Sequence, residues 1–130
     1  MTSRIHTITM DCTDWPTLVE FWGRATDLIE NPDNPNSPGD PEGLLSSRDG
    51  RINLLFMPVP EGKRVKNRVH LDLMPVDRTR DEEVERLLGL GATVYADHRE
   101  ADGSGWVVLQ DPEGNELCVG RSAAERAHGA

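Results

Sequence analysis

The feature that most constrains the fold is an internal repeat with an offset of 64 residues. Three short segments match their counterparts at this one ungapped offset, in a chain of 130 residues that is about twice as long. The pairs are Arg4-Ile5-His6 with Arg68-Val69-His70, Leu44-Leu45 with Val108-Leu109, and Asp49-Gly50 with Glu113-Gly114. The repeat predicts one domain over residues 1–122, built from two similar modules at about 1–62 and 63–122, with a C-terminal tail at 123–130.

Each half reads as a strand, a helix and then further strands, which predicts an α+β fold. In the first half Asp14 can cap a helix, and apolar residues recur at helical spacing from Leu18 to Ala25. In the second half Thr79 and Glu82 have the spacing of a capping box. The predicted strands are Arg4–Cys12, Arg51–Val59, Val69–Met74, Ala92–Tyr95, Gly105–Gln110 and Glu116–Gly120, with a hairpin turn at Asp111–Gly114.

One segment of the first half does not have the residue pattern of a helix or a strand. Glu30–Gly43 carries four prolines, a density that leaves no room for a regular strand except at a sheet edge. We predict a surface loop that replaces a short edge strand, with a lid over a pocket as the alternative.

The charge balance limits the classes of partner. With 14 basic and 23 acidic residues the formal net charge is −9, which disfavours nucleic acid and anionic membrane surfaces as partners. No apolar run is long enough for a membrane span, and the first ten residues lack the apolar core of a signal peptide, so we expect a cytoplasmic protein. Cys12 and Cys118 lack the spacing of a metal motif and are expected to be buried, reduced thiols.

Three segments together resemble a known family. They are Asp11-Cys12-Thr13-Asp14 running into Phe21-Trp22, Lys66-Asn67-Arg68-Val69-His70-Leu71-Asp72-Leu73, and Asp111-Pro112-Glu113-Gly114-Asn115-Glu116. Over about residues 3–120 the chain is similar to the vicinal oxygen chelate superfamily, in particular its glyoxalase-like, bleomycin-resistance-like branch. The resemblance implies two tandem β-α-β-β-β modules whose mixed sheet curls around a central cleft with the helices outside, and a homodimer. Members include isomerases, lyases, dioxygenases, antibiotic-modifying enzymes and metal-free drug-binding proteins, so the fold does not fix the function.

The resemblance also implies where a divalent metal would bind. Metal-using members place a His or a carboxylate on the first and last strand of each module, and His70 occupies the first of these positions in the second module. On its last strand Glu116 is a candidate, although the family position falls on Cys118. In the first module the repeat favours His6 and the family spacing favours Thr7, and the last strand offers neither His nor carboxylate. The residues therefore favour an apolar cleft with a hydrogen-bonded His70 over a complete metal site.

The sequence thus predicts a domain that binds a small organic molecule in the cleft between its modules. The ligand contacts we expect are His70, Asp72, Trp106, Met57, Cys118 and Thr7, and His70 and Glu116 are the candidates for acid-base catalysis. The net charge favours neutral or cationic ligands. Two alternatives stay open: a metal-dependent lyase, isomerase or dioxygenase, and a non-enzymatic dimeric interaction module.

Overall fold

A computed structural model describes residues 1–127 and divides the chain into two compact units, Met1–Lys63 and a second that begins at Arg64. The elements are β1 (Thr7–Cys12), α1 (Trp15–Ala25), β2 (Gly43–Ser46), β3 (Asn53–Pro58), β4 (Leu71–Leu73), α2 (Arg80–Gly89), β5 (Thr93–Asp97), β6 (Val107–Gln110), β7 (Glu116–Val119) and α3 (Ala123–Ala127). Each unit contains its own mixed sheet, of three and four strands, so the predicted α+β class is confirmed. Within residues 1–127, no helix has the length and apolar character needed to span a bilayer.

The first unit packs one helix on a three-stranded sheet. β3 lies in the middle, parallel to β1 and antiparallel to β2. α1 begins after Asp14 and packs against β2 and β3 through its apolar stripe. The buried residues of that helix are Trp15, Leu18, Phe21, Trp22 and Ala25, which include the stripe predicted from the sequence.

The proline-rich segment of the first unit forms no strand between residues 30 and 42. A single bridge between Ile29 and Ser46 is what remains of edge pairing with β2. The side chain of Asn36 then takes the place of a strand backbone, since it accepts a bond from the Leu44 N–H and donates one to the Leu44 carbonyl, both at 2.9 Å. The predicted replacement of an edge strand by a loop is confirmed, and a lid function for this loop stays a prediction.

The second unit has the full β-α-β-β-β order, with strands arranged β4-β7-β6-β5. β4 is parallel to β7, and the other two pairs are antiparallel. The predicted capping box of α2 is present, because Thr79 accepts from the Glu82 N–H and Glu82 accepts from the Thr79 N–H. The fully buried aliphatic side chains of this unit are Val84, Leu87, Val107, Leu109, Leu117 and Val119.

The predicted hairpin turn at Asp111–Gly114 connects β6 to β7. Gly114 has a positive φ of 87°, a conformation that glycine adopts without steric cost. The buried Asp111 carboxylate accepts from the backbone N–H groups of Glu113 and Asn115 and from the Asn115 amide. The turn therefore fixes where β7 starts, and β7 carries two of the candidate site residues.

Several predicted strand ends differ from the structure by two or three residues, and Asp14 precedes α1 without a side-chain capping bond. Two further differences bear on the candidate site. β4 covers only Leu71–Leu73, so His70 precedes the strand rather than lying within the predicted Val69–Met74. Residues 123–127 of the predicted tail form α3, because Glu125 accepts from the backbone N–H groups of both Ser122 and Arg80 and so ties the helix to α2. The rest of the tail, 128–130, lies outside the described residues.

Candidate functional site

The register of the second sheet collects polar and apolar side chains on one face. Asp72 on β4 is the partner of Cys118 on β7, and Cys118 is in turn the partner of Val108 on β6. His70 and Trp106 lie two residues before Asp72 and Val108, just outside β4 and β6, and their side chains line the same cavity. A cavity of about 560 Å³ opens over these five residues. Its volume lies in the range of small-molecule sites.

Three of the lining residues form a tight cluster, which we call the His70 cluster: His70, Asp72 and Cys118. The Nδ1 atom of His70 is 3.2 Å from Oδ1 of Asp72 and 3.6 Å from Sγ of Cys118. The ligand atoms of all three side chains lie within 4.8 Å of one another. The His70 side chain is 32% exposed and that of Asp72 is 73% exposed, whereas Cys118 is buried. The cluster therefore extends from a buried thiol to a carboxylate in contact with water.

The surroundings of Cys118 determine its reactivity. Burial raises the pKa of its thiol to about 11, and the negative charge of Asp72 and a hydrogen bond to it add to the rise, while Lys66 acts in the opposite direction. The thiol is therefore protonated near neutral pH. Since the thiolate is the reactive form, Cys118 is not an activated nucleophile in this environment.

An aromatic pair forms the opposite part of the cavity lining. Trp106 is 47% exposed there, and its ring centroid lies 4.9 Å from that of His98 at an interplanar angle of 34°. The backbone N–H of His98 donates to the carbonyl of Trp106, so the two residues extend the β5–β6 pairing by one step. Residue spacing alone does not determine whether Trp106 faces the cavity or the helices. The structure places it in the cavity, where a half-exposed indole can stack on a flat ligand.

Cationic groups also line the cavity. Lys66 lies before β4 and Arg126 lies on α3, and among the lining residues within 1–127 the only carboxylate is that of Asp72. The local charge is therefore more positive than the net charge of −9 indicates. Sequence reasoning missed His98, which the register of β5 and β6 locates opposite Trp106. It also missed Arg126, for which the polar tail carried no signal.

Glu116 lies on the same sheet face, two residues before Cys118, but its carboxylate does not line the cavity. The residue is 2% exposed. Its Oε1 accepts from the backbone N–H of Asn67 at 2.6 Å, and its Oε2 accepts from the side-chain amide of Gln110 at 3.0 Å. These bonds hold the segment that leads into His70, so the structure gives Glu116 a positioning contact, and its predicted catalytic role stays a prediction.

The remaining predicted site residues belong to the first unit. Thr7 starts β1, and its hydroxyl lies 2.7 Å from Nδ1 of His6. Met57 is an exposed residue of β3. Their predicted ligand contacts, and the metal role considered for His6, stay predictions.

Comparison with known proteins supplies the family. The family model described as "Glyoxalase-like domain" matches residues 7–120, which confirms the resemblance stated from the sequence. None of the curated proteins matches the chain.

Solved structures show the same fold. The fosfomycin resistance protein FosX from Listeria monocytogenes is 19% identical, with 96% of this chain and 95% of that chain covered and a TM-score of 0.69. A glyoxalase/bleomycin resistance protein/dioxygenase family enzyme from Burkholderia phytofirmans is 18% identical, with coverage of 90% and 97% and a TM-score of 0.67. A variant of the Listeria protein, complexed with Mn(II) and 1S,2S-dihydroxypropylphosphonic acid, is 18% identical, with coverage of 99% and 98% and a TM-score of 0.70. At these identities the likeness concerns the fold alone.

Proposed function

The chain belongs to the glyoxalase-like domain family, and on that premise we propose that it binds a small organic molecule in the cavity of its second unit. The observation that carries the proposal is the cavity itself, which joins an exposed indole and aliphatic side chains to one compact polar cluster. A mostly apolar concave site with few convergent polar groups is the usual form of a small-molecule site.

The two ends of the cavity determine the shape of the ligand. A flat apolar part would lie against Trp106 and Val108, because an aromatic face stacks favourably on the indole. A polar end, carrying an oxygen, would approach Nδ1 of His70 and the Cys118 thiol. In this arrangement His70 orients the ligand oxygen. His70 would act as an acid or base only if the ligand has a proton to exchange.

The charged residues that line the cavity favour a different class of ligand from the one that the net charge of the chain favours. Lys66 and Arg126 contribute two positive groups to the lining, and the carboxylate of Asp72 lies beside His70. Nearby charges outweigh distant ones, because water and salt screen interactions beyond about 10 Å. We therefore assign to the ligand a flat ring with an anionic or oxygen-rich substituent, rather than the neutral or cationic molecule that the net charge favours.

Binding to a library of small aromatic acids, amides and amines, followed by ligand-observed NMR, tests this proposal. A hit should bind the Trp106→Ala variant at least about two to ten times more weakly, since a stacking contact contributes about 0.5–1.5 kcal/mol beyond area burial. Trp15→Phe is the matched control, because Trp15 lies on α1 of the first unit. Hits that bind wild type and Trp106→Ala equally would contradict the proposal.

We further propose, from the family resemblance, that the protein is a cytoplasmic homodimer. Light scattering coupled to size-exclusion chromatography measures the mass of the assembly directly. Twice the mass of one chain supports the dimer, and the mass of a single chain at micromolar concentration opposes it.

A further inference from the structure

The two aromatic residues of the cavity lie at the two ends of one loop. β5 ends at Asp97 and β6 begins at Val107, so His98 and Trp106 flank the loop 99–105. The backbone N–H of His98 donates to the carbonyl of Trp106 at 2.9 Å, and the centroids of the two rings are 4.9 Å apart. The contacts that hold this loop therefore also determine how the two rings face the cavity.

Arg80, the first residue of α2, holds the end of the loop next to Trp106. Its Nη1 atom donates to three successive carbonyls, those of Gly103, Ser104 and Gly105, at 3.1, 2.9 and 3.1 Å. Gly103 and Gly105 both have a φ of 92°, a left-handed conformation that lets the backbone turn these carbonyls toward one donor. The Arg80 side chain is buried, so its guanidinium is a contact within the protein and not a surface charge.

Asp81, the next residue of α2, holds the end of the loop next to His98. Its Oδ1 accepts from Nη1 of Arg99 at 3.2 Å and from Nε of Arg80 at 3.0 Å. Arg99 also donates to the carboxylate of Asp97, so the segment around His98 is tied to the strand and to the helix. Two adjacent residues of α2 thus hold both ends of the loop.

We propose that Arg80 is a positioning residue of the ligand site, which sets the orientation of the Trp106 indole and so the preference of the cavity for a flat ring. Arg80 is not one of the residues that line the cavity, and it acts through the loop that ends at Trp106. The effect on ligand preference rests on the proposed function, whereas the effect on the orientation of the indole is measurable without a ligand.

The side chain and the backbone of Arg80 serve different parts of the site. Arg80→Lys keeps the positive charge, but an ammonium group cannot bond the loop carbonyls and Asp81 from two separate nitrogens as the planar guanidinium does. The backbone N–H of Arg80, which this substitution leaves in place, donates to Glu125 at 2.7 Å and holds α3 with its Arg126. Arg80→Lys should therefore disturb the aromatic part of the cavity and preserve the cationic part.

NMR of the ligand-free full chain tests the first half of the proposal. The ring protons of His98 lie beside the indole, so their resonances should carry a ring-current shift that Trp106→Ala removes. Arg80→Lys should lose most of this shift. Arg86→Lys is the matched control and should keep it, because Arg86 lies on the same helix and bonds the carboxylate of Glu83.

The affinities for benzoate and for its saturated counterpart, cyclohexanecarboxylate, test the second half. The wild type should bind benzoate about two to ten times more tightly, the factor that a stacking contact contributes. In Arg80→Lys this ratio should fall to about one, because the stacking contact is lost, and the affinity for cyclohexanecarboxylate should stay unchanged. A general loss of stability would weaken both ligands alike, so the ratio separates positioning from a merely structural role.

A second variant keeps the test decisive if Arg80→Lys does not fold. Asp81→Ala changes a side chain that is 62% exposed and releases Arg99 from α2, so it should also reduce the ring-current shift of His98. The proposal is overturned if folded Arg80→Lys, or Asp81→Ala in its place, keeps the wild-type shift or the wild-type ratio of affinities. If neither acid binds the wild type while the shift of His98 responds to Arg80→Lys, the proposed function fails and the positioning of the indole by Arg80 stands.

Discussion

At the scale of single residues, burial and the Asp72 carboxylate both oppose ionisation of the Cys118 thiol. The carboxylate lies on the neighbouring strand, and its charge opposes formation of a thiolate in a site that already disfavours charge through burial. The reactivity of the thiol in metal-free protein is thus a direct measure of the electrostatics of the cavity.

Alkylation of Cys118 tests this electrostatic effect. In metal-free protein its rate should keep rising with pH beyond the usual range of a thiol and reach half its maximum near pH 11, since the pKa is raised to about 11. Asp72→Asn removes the negative charge, so the pKa of the Cys118 thiol should be lower in this variant. Its alkylation at about pH 9, near the ordinary pKa of a thiol, should therefore be faster than in the wild type. Mass spectrometry with iodoacetamide in a Cys12→Ala background measures both rates. Equal rates for the two proteins at that pH would contradict the assigned role of Asp72.

Glu116 is the second residue whose role can be measured. Glu116→Gln preserves the shape of the side chain but replaces one carboxylate oxygen, an acceptor, with an amide NH₂ group. That group would face a second donor, either the N–H of Asn67 or the side-chain amide of Gln110. We expect the free energy of unfolding to fall by about 1–3 kcal/mol, the usual loss for a buried bond to a charged group. Urea denaturation measures this value, and Glu85→Gln on the exposed face of α2 is the control, with an expected change within about 0.5 kcal/mol. A Glu116→Gln protein as stable as this control would show that the bonds to Asn67 and Gln110 do not support the fold.

At the scale of elements, the repeat explains why one sheet is smaller. β2 and β6 are separated by 64 residues at both ends, and the Ile29–Ser46 bridge lies 64 residues before the Thr93–Gln110 pair of β5 and β6. The first unit therefore starts the same edge pairing and stops after one bridge. Pro32 falls at the position of Ala96, within β5, and a proline there cannot donate to the ladder.

Packing of α1 on β2 depends on a glycine. A Cβ atom at Gly43 would lie 2.5 Å from Cε3 of Trp15 and 2.7 Å from Cγ2 of Val19, both of which belong to α1. We expect Gly43→Ala to destabilise the protein by about 1–3 kcal/mol through overpacking.

Gly23→Ala is the matched control within the same packing layer. Its new Cβ would meet Leu45 at an ordinary contact distance of 3.7 Å, and alanine favours the helix by up to about 1 kcal/mol. Thermal unfolding of the two variants compares them directly. The packing account is wrong if Gly43→Ala unfolds at or above the temperature of Gly23→Ala.

At the scale of the whole molecule, the sequence was sufficient for the fold class and for part of the site. The repeat, the helical stripe of α1 and the capping box of α2 depend on local spacing, which a sequence displays. Alternation along a strand predicts the faces of Asp72 and Cys118, but their direct pairing depends on the strand order of the sheet, which the sequence analysis did not predict. The contribution of Arg126 depends on how α3 folds back onto α2, and no local pattern encodes that contact.

Glu116 shows the other limit of the sequence. Its face on β7 follows from alternation, but the bond from the N–H of Asn67 brings together residues 49 positions apart. A carboxylate on the correct face of a strand can therefore be engaged in hydrogen bonds within the protein and not face the cavity. For the same reason the net charge of −9 does not describe the cavity, where Lys66 and Arg126 lie.

The central claim is that the cavity of the second unit is where this protein binds its ligand. An amide-detected NMR titration of the labelled full chain, with the tightest aromatic acid from the library, tests it most directly. We predict saturable shifts at residues 70–74, 98, 106–108 and 118–120. Saturable shifts confined to residues away from this cavity, such as those of β1 and β3, would contradict it.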